Sequence, residues 1–96
     1  MATIISLDDY RHKLVDKILI AGTYEQIKRF LLAAIKSMKE REVHGHLINR
    51  FIDKTINQLY AISLLDQDLK RQLNIKYAKS QLELIKRHEE EGKKHV

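Results

Sequence analysis

The 96-residue chain contains no cysteine, no proline and only three glycines. The lack of cysteine removes disulfides, thiolate metal sites and cysteine nucleophiles together. The lack of proline leaves no residue that would interrupt a helix by withholding its N–H. Long apolar runs are also missing. The longest, Phe30 to Ile35, is six residues, whereas a membrane-spanning helix needs about 20. Met1 to Tyr10 has no basic segment followed by an apolar stretch. No signal peptide is therefore expected, and the expected location is cytoplasmic. Enzyme signatures are absent as well: there is no Gly-rich phosphate loop, no H-E-x-x-H and no G-x-S-x-G elbow. The expectation is a protein that is not an enzyme and uses no cofactor.

What remains is a helix-forming composition. Hydrophobic residues make up 44% of the chain and charged residues 32%, as suits helices with solvated outer faces. Eighteen basic and thirteen acidic residues give a net charge of +5. That balance permits contact with nucleic acid or an acidic partner. The signs are mixed along the chain, however, and neither half is a basic arm.

Apolar residues recur at steps of three and four. In the first segment they are Leu7, Tyr10, Leu14, Ile18 and Ala21. Ser6 can cap this helix, Asp8 and Asp9 favour its positive end, and Ile5 and Tyr10 have the spacing of a hydrophobic staple. Thr23-Tyr24-Glu25-Gln26 matches the T-x-x-Q capping box. It opens a second stripe of Tyr24, Ile27, Leu31, Ala34, Ile35 and Met38. A third stripe is Ile48, Ile52, Thr55, Leu59 and Ile62. Gly22, Gly45 and Gly92 fall where helix ends are expected, and glycine readily takes the left-handed conformation that closes a helix. Asp66-Gln67-Asp68 can cap a fourth helix.

These signals predict an all-α, compact four-helix bundle, mostly antiparallel with short connections. Helices are expected near residues 7–21, 24–43, 46–64 and 68–90. Residues 1–92 form a single domain, and 93–96 a charged flexible tail. The alternative is three helices, with the third and fourth continuous. The expected core includes Leu14, Ile18, Ile27, Leu31, Ile35, Ile48, Ile52, Leu59, Ile62, Leu69, Leu73 and Tyr77.

The fourth helix carries two apolar stripes on nearly opposite sides. Leu69, Leu73, Tyr77 and Leu84 form one; Ile75, Ala78, Leu82 and Ile85 form the other. A helix against one neighbour needs an apolar arc of only about 100°. Either both stripes pack inside the chain, or one meets a partner or a second copy. With Leu69, Leu73 and Tyr77 placed in the core, the partner-binding candidates are Ile75, Ala78, Leu82 and Ile85. The expected function is a non-catalytic protein–protein interaction or structural module, with self-association through helix four as a possible homodimer.

The alternative function is nucleic-acid binding through Lys28, Arg29, Lys36 and Lys39 on helix two, which could neutralise phosphates. Glu25 and Glu40 interrupt that face four residues from Arg29 and Lys36, as on an ordinary salt-bridged exterior. A DNA-reading helix-turn-helix is disfavoured because the Gly22-Thr23 turn is too short. Metal binding is not expected. Asp9, His12 and Asp16 share one stripe, and His44-Gly45-His46 brings two imidazoles together, but neither group has enough ligands. The chain also has no Glu-x-x-His of the kind that di-metal carboxylate bundles use.

Overall fold

The computed structural model describes the backbone of residues 6–94 and the side chains of residues 6–89. Among the described residues four α-helices follow one another: α1 (Leu7–Ile20), α2 (Tyr24–Glu40), α3 (Gly45–Ala61) and α4 (Leu69–Lys94). A single 3-10 turn, Leu64–Asp66, separates α3 from α4. The break is therefore real, and the continuous-rod alternative falls. Among the described residues there is no strand, and no helix is long and apolar enough to cross a membrane.

The helix starts follow from local chemistry. The Ser6 Oγ accepts the Asp9 N–H at 3.1 Å, the Thr23 Oγ1 accepts the Gln26 N–H at 3.1 Å, and the Asp68 Oδ1 accepts the Arg71 N–H at 2.9 Å. Each satisfies a donor that the first turn of a helix leaves free. Gln26 also reaches back, and its Oε1 accepts the Gly22 N–H at 2.7 Å. The Ile5 half of the proposed staple lies outside the described residues.

The helix ends differ from the expectation that glycine closes them. No glycine among the described residues has positive φ. Gly45 is the first residue of α3, and Gly92 lies within α4, which continues to Lys94. Residues 93 and 94 are thus helical. The left-handed residue is Glu42, at φ 59°. Around it the Val43 N–H donates to the Met38 carbonyl at 3.0 Å and the Glu42 N–H to the Lys39 carbonyl at 3.1 Å. This is the paired bonding of a Schellman ending, with glutamate where glycine is usual. A Cβ in that conformation costs about 1–2 kcal/mol. Glu42→Gly is therefore expected to raise stability by about 1 kcal/mol, read as a higher urea midpoint at unchanged slope.

Helix direction alternates along the chain. Lys17 lies over the Phe30 ring, and Tyr10 lines a cavity with Met38, so α1 and α2 are antiparallel. Lys79 over Tyr60 and Lys86 bonded to Asp53 make α3 and α4 antiparallel. α2 and α4 run in the same direction, with Tyr24 beside Tyr77 and Lys39 beside Glu89. α1 and α4 form the central pair, and α2 and α3 flank it on opposite sides.

The core fills the space between these helices. Leu14, Val15, Ile18, Ile27, Leu31, Ile35, Met38, Ile48, Phe51, Ile52 and Leu59 are buried. Each large aliphatic side chain there contributes about 1.5–3 kcal/mol before entropy is counted. The exceptions to the expected core are Ile62 and Tyr77, which are half-buried, and Leu69 and Leu73, which are exposed.

Candidate interaction surface

α4 decides where a surface can form, because its two stripes have opposite fates. Ile75, Ala78 and Leu82 are at most 1% exposed and belong to the core; Ile85 packs against that core, half-buried. The four candidates for partner binding are thus held by the chain itself. The cause is position: α4 lies against α1, α2 and α3 at once, and this stripe is the one turned towards all three. The stripe expected inside is the one left outside. Leu69 is 69% exposed, Leu73 41% and Leu84 46%.

Buried polar contacts hold α4 in this rotation. Asn74, itself buried, donates from Nδ2 to the carbonyl oxygens of Ile18 at 3.1 Å and Ala21 at 3.0 Å. These carbonyls lie at the C-terminal end of α1, where the helix ladder runs out; the Ile18 carbonyl also accepts the Ala21 N–H at 3.3 Å. The side chain of one central helix therefore closes the end of the other. On the α3 side, two lysines of α4 make the contacts. The Lys79 Nζ lies 3.9 Å from the centre of the Tyr60 ring, and the Lys86 Nζ donates to the Asp53 Oδ1 at 2.6 Å.

With α4 fixed, its outward stripe lies beside α2. The Tyr24 and Tyr77 rings stack at a centroid distance of 4.5 Å and an interplanar angle of 10°. Tyr24 is therefore a half-exposed platform rather than a core residue. A hollow of about 300 Å³ opens next to it, lined by Tyr24, Lys70, Leu73 and Asn74 among others. Further along the same helix pair a cleft of about 590 Å³ has Leu32, Ile35 and Ile85 as its apolar lining. Lys36, Lys39 and His88 stand around it.

The basic residues expected on α2 are all exposed, but most have partners. Arg29 Nη2 bonds Glu25 Oε1 at 3.0 Å, and Lys36 Nζ stands 4.0 Å from Glu40 Oε1. Lys39 pairs with Glu89 of α4. Lys28 has no ion-pair partner among the described residues, and neither does Lys70 across the groove.

The described histidines do not gather ligands. His12 Nδ1 accepts the Gln58 amide at 3.0 Å, while Arg11 Nε donates to Gln58 Oε1 at 2.9 Å. Arg11 also bonds Asp8 at 2.7 Å, and its guanidinium holds the Asp8 carboxyl below its usual range. Asp8 thus favours the folded state above the usual carboxylate pKa, and this contribution fades as the pH falls through its lowered value. His44 and His46 lie with ring centres 5.6 Å apart. Among the described residues no three histidine, aspartate or glutamate side chains are placed to share a metal ion.

Sequence reasoning found the cations of α2 and their carboxylate partners, but it missed the platform and its groove. Stacking of Tyr24 on Tyr77 brings together residues of two helices far apart in the chain, and no local pattern marks it. Comparison of the chain with protein-family models, with curated proteins and with solved structures found no match.

Proposed function

We propose that this protein is a non-catalytic protein-interaction module whose contact surface is the outward face shared by α2 and α4. The observation that carries the reading is that five of the eight large apolar side chains exposed among the described residues stand on these two helices: Tyr24, Leu32, Leu69, Leu73 and Leu84. Single exposed leucines are ordinary, but a clustered set rimmed by charge is what an interface requires. The groove between two helices suits a third helix laid along it. Lys28 is the only one of the four α2 cations without a carboxylate among the described residues, so phosphate binding through α2 has the weaker support.

Site-specific photocrosslinking in cells that express the protein tests this reading. A photoreactive residue at Leu73 or Leu84 is expected to yield a discrete adduct, and the same residue at Asp16 or Asn57 none. The adduct mass separates a second copy, which adds 11.3 kDa, from another protein. Equal or absent crosslinking at all four positions would count against the proposal.

A further inference from the structure

We infer that the α2–α4 groove takes an acidic amphipathic helix from another protein, an inference that rests on the interaction reading above. The groove has two components, and they recur along its length. Its apolar component is Leu73, Tyr24 and Tyr77 at one end and Leu32, Ile35 and Ile85 at the other. Its charged rim is mainly cationic: Lys70 beside Tyr24, Lys36, Lys39 and His88 further along, and Lys28 on α2 midway between Tyr24 and Leu32, four residues from each. The carboxylates on this rim, Glu40 and Glu89, already face Lys36 and Lys39. Lys28 and Lys70 face none among the described residues. Lys70 and Arg71 also stand in the first turn of α4, where the helix dipole disfavours cations and the capping Asp68 carboxylate offsets only part of that.

An occupant that covers this groove must therefore bring apolar side chains on one face and carboxylates beside them. From Leu73 to Glu89 the two hollows of the groove span seventeen residues of α4, about 24 Å at 1.5 Å per step. A partner helix of about 16 residues spans it. A second copy fits less well, because pairing two of these faces sets the cationic rim of each copy against the cationic rim of the other. Nucleic acid uses the lysines but leaves Leu32, Leu73 and Leu84 without a role, since bases stack on aromatic faces rather than on leucine.

The test uses a labelled helical peptide of about 16 residues, with leucines at steps of three and four and glutamates on both flanks. A second peptide carries glutamine in place of each glutamate. The acidic peptide is expected to bind at least about tenfold tighter at low salt and to lose that advantage as salt is raised. Leu73→Asp should abolish binding, and Lys28→Glu combined with Lys70→Glu should remove the preference for the acidic peptide. Circular dichroism checks that each variant is folded. Equal affinity for both peptides, still lost in Leu73→Asp, overturns the acidic partner and leaves the groove reading standing. Binding unchanged in both Leu73→Asp and Leu84→Asp removes the groove itself. Tighter binding of a single-stranded or duplex oligonucleotide through Lys28 and Lys70 overturns the inference in favour of nucleic acid. A doubled mass of the free protein, lost in Leu73→Asp, overturns it in favour of a second copy.

Discussion

Leu82→Asp is expected to unfold the protein, while Leu73→Asp, nine residues away on the same helix, leaves it folded. Leu82 is 1% exposed and lies at the centre of the shared core. Removing its buried side chain costs about 2–5 kcal/mol, and a carboxylate left without a partner there adds several more. The sum is comparable to the whole stability of a small domain, about 5–15 kcal/mol. Leu73 faces outward, and a surface change of this kind stays within about 0.5 kcal/mol. Circular dichroism and urea titration read both variants. Full helicity and an unshifted midpoint in Leu82→Asp would place that stripe outside the core.

Asn74→Leu is expected to cost about 2–6 kcal/mol. Leucine is the bulkier side chain and must be accommodated at a buried position, and the Ala21 carbonyl loses its Asn74 donor while the Ile18 carbonyl keeps only the Ala21 N–H. A buried polar group left unsatisfied costs about 1–3 kcal/mol, and overpacking adds about 1–3 kcal/mol. The urea midpoint should fall at unchanged slope. The α1 end should also exchange its amide hydrogens faster than the rest of the core, because the contact that closes it is gone. A loss below about 1 kcal/mol would mean that water reaches these carbonyls, and that α1 needs no closure from α4.

The contrast between these residues also marks what a sequence can reveal. Helix starts were legible because capping is local: Ser6, Thr23 and Asp68 each bond a backbone N–H three residues on. The single-striped helices were legible for a similar reason. On α2 and α3 one face is apolar, so periodicity alone names the buried side. The ion pairs on α2 follow from four-residue spacing and were readable in the same way.

α4 defeats that logic. Its two stripes are nearly equal in hydrophobicity, and which one is buried depends on the three helices it packs against. Choosing Leu69 and Leu73 for the core made Ile75, Ala78, Leu82 and Ile85 the surface candidates, and the packing reverses both assignments. One residue carried a usable signal. Asn74 lies among the apolar positions of the second stripe, and a buried amide needs unpaired carbonyls to bond. The closing helix end of α1 supplies them. Glu42 is the opposite case: Gly45 stood nearby as the obvious residue to end α2, and nothing in the sequence shows that the left-handed turn comes three residues earlier.

The rotation of α4 is the claim on which the proposed surface depends, and the absence of native cysteine makes it measurable. Single cysteines at Leu73, Leu84, Ala78 and Leu82 report the exposure of each position by their rate of thiol labelling under native conditions. Leu73→Cys and Leu84→Cys should react at close to the rate of a free thiol. Ala78→Cys and Leu82→Cys should react only as fast as the protein opens, at least about a hundredfold slower. Fast labelling at Ala78 and Leu82, with Leu73 and Leu84 protected, would turn α4 over and remove the groove.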